Sequence, residues 1–119
     1  MKIHESAENY LETILVLQQR KGSVRSIDIA NELEFSKPSV SVAMKKLRES
    51  GYVTVDDAGL LSLTPAGEAV ARRIYHRHKV IATMLTVVGV DPETAAEEAC
   101  QIEHVISDET LEKIRAYFM

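Results

Sequence analysis

The chain is poor in cysteine: there is one, Cys100, in 119 residues. No internal disulfide can form, and a reducing compartment is expected. No apolar run approaches the ~20 residues that a bilayer-spanning helix needs. A basic-then-apolar leader with a small-residue cleavage site is also missing, so a cytoplasmic protein is expected. There is no internal repeat, low-complexity tract or long linker. With five glycines, none clustered, no glycine-rich turn offers an oxyanion hole. That argues against an enzyme using Cys100 as nucleophile and His104 as base.

What is present is an ordinary globular composition, 45% hydrophobic and 27% charged, with net charge -4. That net charge alone disfavours nucleic acid, but its distribution does not. Residues 1–55 carry eight bases (Lys2, Arg20, Lys21, Arg25, Lys37, Lys45, Lys46, Arg48). They carry seven acids (Glu5, Glu8, Glu12, Asp28, Glu32, Glu34, Glu49), which leaves +1. From Lys37 to Arg48 there are four bases and no acid. The acidic excess follows, keeping the whole molecule soluble without cancelling the local patch.

Apolar spacing predicts six helices and one hairpin. Ser6 can cap a first helix to about Lys21, with Ile3, Leu11, Ile14 and Leu15 as its core stripe; Asn9 and Glu12 lie on another face. Ser26 can cap a second, Ile27 to Glu34. Ser36-Lys37-Pro38-Ser39 is a helix start with a hydroxyl cap and an early proline. The third helix then runs to about Ser50, with Val40, Met44 and Leu47 inward. Its outer side carries Lys37, Ser41, Lys45 and Arg48, with Ser39, Val42 and Lys46 alongside. Two short helices and a tight turn, the second basic and rich in small residues outside, read as a helix-turn-helix. Ser36 to Val42 can approach base edges, and Lys45, Lys46 and Arg48 can neutralise phosphates. The bland alternative is a solvated basic face.

Tyr52–Val55 and Leu60–Leu63, joined through Asp56-Asp57-Ala58-Gly59, predict a hairpin placed as a wing. The two aspartates at its tip argue against strong phosphate contact there. Thr64-Pro65 opens a long helix to about Val88, with the stripe Val70, Ile74, His78, Ile81, Leu85 and Val88. His78 stands where the period asks for an apolar residue, and a lone histidine there is more often a satisfied core residue than a ligand. A fifth helix is expected through Ile106, and Ser107-Asp108-Glu109 opens a sixth. On the fifth, Cys100, Glu103 and His104 share a face at i, i+3 and i+4. Sulfur, carboxylate and imidazole together suit a divalent transition metal rather than calcium or magnesium. A small core cysteine beside solvated charges is the competing reading.

The expected fold class is mainly α with a small β-hairpin. A winged helix-turn-helix, residues 1–64, precedes an all-helical lobe, 65–119, which is too small to bury all its faces alone and so should pair with a second copy. At this point nearly the whole chain resembles the iron- and manganese-dependent repressors, the family of the diphtheria toxin repressor. The resemblance is carried by "ENYLETI", "SKPSVS", "RHKVIATML" and above all "EEACQIEHVISDE". It implies a homodimeric repressor of metal-uptake genes that binds a palindromic operator in double-stranded DNA. It implies a metal site joining the first helix to the lobe, with Asn9, Glu12, His78, Cys100, Glu103 and His104 as ligands. No membrane or small organic substrate enters. Asn9 stands where relatives have aspartate or methionine, and Cys100 where manganese-type members have glutamate. A thiolate tilts the site toward Fe(II), with Mn(II) second and Co(II), Ni(II) or Zn(II) as substitutes. Ala82 and Ala96 replace the partners of an ancillary site around His78, so that site is not expected. The SH3-like domain of longer members is missing, and the short two-domain form is expected. The rival is a winged-helix regulator that senses a small ligand or redox state through Cys100 without metal.

Overall fold

A computed structural model of the chain describes residues 5–119. Ile3, expected in the first core stripe, lies outside the described residues. The elements are α1 (Glu5–Lys21), α2 (Ser26–Leu33), α3 (Lys37–Glu49), β1 (Val53–Val55), β2 (Leu61–Leu63), α4 (Pro65–Val87), α5 (Pro92–Ile102) and α6 (Asp108–Phe118). They form two compact units, the first ending at Arg72 and the second running Arg73–Met119. The division falls inside α4.

The first unit is a winged helix. Leu11, Ile14, Leu15 and Leu17 of α1, Ile29 and Ala30 of α2, and Val40, Met44 and Leu47 of α3 are buried. Those three α3 residues are spaced four and three apart, so one stripe faces inward and the rest of the helix is free. Ser36 caps α3, its Oγ accepting from the Ser39 N–H at 3.3 Å, with Pro38 in the first turn. Ser6 lies within α1 rather than ahead of it, and Ser26 within α2. The cap of α2 is reversed from expectation. Arg25 holds the cap position, and its backbone N–H donates to Asp28 Oδ2 at 2.8 Å. A carboxylate three residues into the helix reaches back, which satisfies a donor outside the first turn and suits the helix dipole. The bond from Lys21 and the Arg25 amide hold the Asp28 carboxyl below its ordinary pKa.

β1 and β2 pair antiparallel, Val53 with Leu63 and Val55 with Leu61. At the tip, Asp56 Oδ1 accepts from the amides of Ala58 and Leu60, both at 2.9 Å. The segment before α2 joins this hairpin: Leu61 N–H donates to Val24 O at 2.8 Å, and Arg25 donates to the Ala58 carbonyl. Thr64 Oγ1 donates to Gly51 O at 2.6 Å and accepts from the Gly67 N–H at 3.1 Å, tying the start of α4 to the wing. A Cβ on Gly67 would stand 2.0 Å from Tyr52 O, so only glycine lets the two backbones approach this closely.

The second unit packs Val80 and Ile81 of α4, Ala99 of α5 and Leu111 of α6 into one core, flanked by Met84, Leu85, Ile102, Ile106 and Ile114. Ala95 and Ala99 are small enough to bring the α5 backbone close to its neighbours. Asp91 caps α5 and Ser107 caps α6, each side chain accepting from first-turn amides. On α4, Val70 and Leu85 are half-buried and Val88, one residue past the helix end, is exposed. Of the expected stripe, Ile74 and Ile81 are fully buried, and Ala71, Val80 and Arg77 are buried as well.

Candidate metal centre and nucleic-acid face

α5 ends at Ile102, four residues before the expected Ile106. Glu103 is its C-cap, still right-handed at φ -58 and ψ -21, and the chain then turns, with Val105 N–H donating to Ile102 O. Cys100 therefore sits in the last helical turn, while Glu103 and His104 belong to the turn beyond it. Two carbonyls just past the helix end are met from another helix. Arg77 of α4 donates through Nε to Glu103 O at 2.8 Å and through a terminal nitrogen to Ile106 O.

The local turn still brings the donors together. One ligand atom each from His78, Cys100 and Glu103 lies within 4.8 Å of the other two. His78 Nδ1 is 3.0 Å from Glu103 Oε2 and 3.7 Å from Cys100 Sγ. His104 adjoins the group, its Nε2 3.4 Å from Glu103 Oε1, with its side chain almost wholly buried. The Glu103 carboxylate thus lies between two imidazoles, and the residue has no exposed surface. Its Oε1 is buried without a hydrogen bond among the described residues; the His104 nitrogen is at ion-pair distance without hydrogen-bond geometry. Leaving a buried carboxylate oxygen unmet is costly. The hydrogen bond with Cys100, then that with Glu103, raises His78 from 6.5 to about 10, against the opposing effect of burial. His78 consequently holds a proton at neutral pH in the metal-free chain.

The set fits a divalent transition metal. It offers sulfur, nitrogen and an anionic oxygen, spaced as donors about 2.0–2.3 Å from one ion would be. His78 sits on α4 in the break of the apolar stripe, so the core-histidine alternative gives way to a histidine facing a carboxylate and a thiol. The other two candidates belong to the first unit. Glu12 is buried on α1 at 7% exposure, and Asn9 is half-buried one turn earlier. Glu8 is buried as well, at 9%. Sequence reasoning passed over Glu8, although a second carboxylate at i-4 from Glu12 was visible. It also passed over Arg77, for which no local pattern gives a signal.

On α3 the outward positions are as expected. Ser36, Lys37, Pro38, Ser39, Ser41, Val42, Lys45, Lys46 and Arg48 are all exposed. Val42 is 55% exposed, a large apolar side chain in water on a helix otherwise polar outside. Asp56 and Asp57 are exposed at the wing tip.

Comparison with known proteins agrees with both halves. Residues 2–60 match the iron dependent repressor N-terminal DNA binding domain, and residues 64–119 match the iron dependent repressor metal binding and dimerisation domain. The chain is 35% identical over 115 residues to an uncharacterised HTH-type transcriptional regulator of Methanocaldococcus jannaschii, covering 95% of this chain and 92% of that one. It is 34% identical over 113 residues to the transcriptional regulator MntR of Salmonella typhimurium, covering 95% and 72%. Among solved structures, a manganese-dependent transcriptional repressor in complex with manganese superposes with a TM-score of 0.87 at 28% identity, over 94% of this chain and 52% of that one. IdeR of T. acidophilum gives 0.84 at 28%, over 99% and 55%. The chain thus spans about half the length of those solved chains.

Proposed function

The chain belongs to the iron-dependent repressor family, whose members are DNA-binding, metal-dependent transcriptional regulators rather than enzymes, and on that footing we propose a specific switch. Residues 65–119 bind one divalent transition metal and pair two copies; residues 1–64 read a palindromic operator in double-stranded DNA. The genes controlled are those of metal uptake, and the site of action is the cytoplasm. Among the described residues, no helix is long and apolar enough to cross a membrane.

The observation that carries the reading is the convergence of His78, Cys100 and Glu103, with one buried carboxylate oxygen still unmet. His78, Cys100, Glu103 and His104 are the ligands from the second unit, and Glu12 and Asn9 complete the set from α1. A bound divalent cation supplies the positive charge that holds these anionic and neutral donors together. Cys100 acts as thiolate, which favours Fe(II) over Mn(II). His78 must first give up its proton. Asn9 offers a neutral amide oxygen, the weakest donor of the six. Joining α1 to the lobe fixes each reading head relative to the dimer axis. Two α3 helices then enter major grooves roughly 34 Å apart. Lys45, Lys46 and Arg48 neutralise phosphates, while Ser36, Lys37, Pro38, Ser39, Ser41 and Val42 lie at base edges.

Anaerobic operator binding titrated metal by metal, with metal analysis of protein purified without chelator, tests this. Operator affinity that rises with Fe(II) supports it; affinity indifferent to every divalent metal refutes it. A second reading has one observation in its favour: Cys100 is exposed and hydrogen-bonded to His78, a setting that suits oxidation sensing. Operator release by peroxide at constant metal-free conditions would favour that reading.

A further inference from the structure

We propose that Arg77 is a positioning residue for the metal centre: its guanidinium holds the backbone of the turn after α5 so that Glu103 stands preset against His78, with His104 beside Glu103. This rests on the metal-binding reading above. Arg77 is 3% exposed, among the most buried charged side chains of the chain. Its three bonds reach three successive places: Glu103 O at 2.8 Å, Ile106 O, and Asp108 Oδ1 at 2.5 Å at the start of α6. Two of these partners are neutral carbonyls. The third is a carboxylate whose side chain is 74% exposed. A buried cation arranged for ion-pair strength would have a buried carboxylate beside it. This one is arranged as a planar fork that spans a turn.

The placement matters because of what lies next to it. Arg77 and His78 are consecutive on α4. Arg77 takes the backbone carbonyl of Glu103, and His78 Nδ1 takes its carboxylate at 3.0 Å. One helix therefore grips the same ligand residue at both ends. A helix terminus leaves its last carbonyls unpaired and frayed. Glu103 and His104 lie just past the α5 terminus, and the fork bonds the carbonyls of Glu103 and Ile106, which bracket His104. Metal ligands depend on such outer partners for their orientation, and losing one costs about ten- to hundredfold in affinity.

The test uses Co(II) as the probe, added anaerobically to the full chain and to Arg77→Lys and Arg77→Gln, with circular dichroism confirming the fold. Lysine keeps the charge but cannot reach three acceptors in one plane. Cobalt affinity should fall about ten- to hundredfold in both variants. The d–d bands of the saturated variants should shift, because Glu103 and His104 are displaced. The sulfur-to-cobalt charge-transfer band should remain, because Cys100 lies within α5 before the turn. A merely architectural arginine would lower the melting temperature and leave the saturated spectrum alone. Folded variants with unaltered cobalt affinity and spectrum overturn the inference. Should both fail to fold, Asp108→Ala, which frees one arm of the fork at an exposed site, is read by the same spectral criterion. Absence of cobalt binding by the unaltered chain overturns the metal reading itself, and this inference with it.

Discussion

Glu103 joins most of what the second unit does. It is fully buried, bonded to His78 on one oxygen and close to His104 on the other. Glu103→Gln keeps the shape and removes the charge. It should weaken metal binding by more than the ten- to hundredfold typical of losing an outer partner, and isothermal titration with Co(II) beside circular dichroism would show it. His78 sets the pH behaviour. Its pKa is raised to about 10, so its contribution to the stability of the metal-free fold is complete below about 6.5 and is lost as pH rises through about 10. Thermal melts in chelator across that window should fall with pH in the unaltered chain and stay flatter in His78→Gln. Metal affinity should run the other way, rising with pH as the imidazole becomes free to bind. Arg77 was illegible at this scale in the sequence. Its partners lie 26 to 31 positions away, and two of them are backbone carbonyls that any residue provides.

At the scale of elements, the readable features were those written in consecutive residues. Ser36, Pro38 and the Val40–Met44–Leu47 spacing announce α3, and the structure buries those three residues and exposes the rest. Helix ends were less readable. The α2 cap is set by Asp28 reaching backward rather than by Ser26, and α5 stops at Ile102, with Arg77 of another helix bonding the carbonyls of Glu103 and Ile106 just beyond its end. The α4 stripe left a gap between Ile74 and Ile81 that periodicity assigned to His78; Arg77 is the more deeply buried of the two. Gly67 has the closest backbone neighbour of the glycines. Gly67→Ala forces a backbone shift and should cost about 1–3 kcal/mol, measurable as a lower urea midpoint. On α3, Lys45→Ala should weaken binding to all DNA sequences and reduce the salt slope by about one. Replacing operator thymines by uracil should reveal whether Val42 meets a methyl group, the one apolar feature at a major-groove base edge.

For the whole molecule, family membership joins a DNA-binding unit to a metal-binding and dimerisation unit in one short chain. If metal favours the DNA-competent arrangement, operator must favour metal by the same factor. Fe(II) affinity measured with and without operator should therefore differ by the same ratio as operator affinity measured with and without Fe(II). Unequal ratios would mean that the two sites are not linked through one equilibrium. The architecture was legible from charge distribution and the Ser36 cap in the first half, and from "EEACQIEHVISDE" in the second. Convergence of His78 with Cys100 and Glu103 was not legible in local spacing, since 22 and 25 residues separate them; only the family resemblance grouped them.

The unmet oxygen of Glu103 reaches beyond gene control. A fold that buries a carboxylate oxygen without a hydrogen bond is weaker at that spot, and a cation bound there would deepen its stability with the logarithm of supply above its Kd. Marginal folds are what cellular proteases remove first. Scarcity would then shorten the lifetime of the sensor as well as loosen its hold on DNA, so abundance and occupancy would decline together.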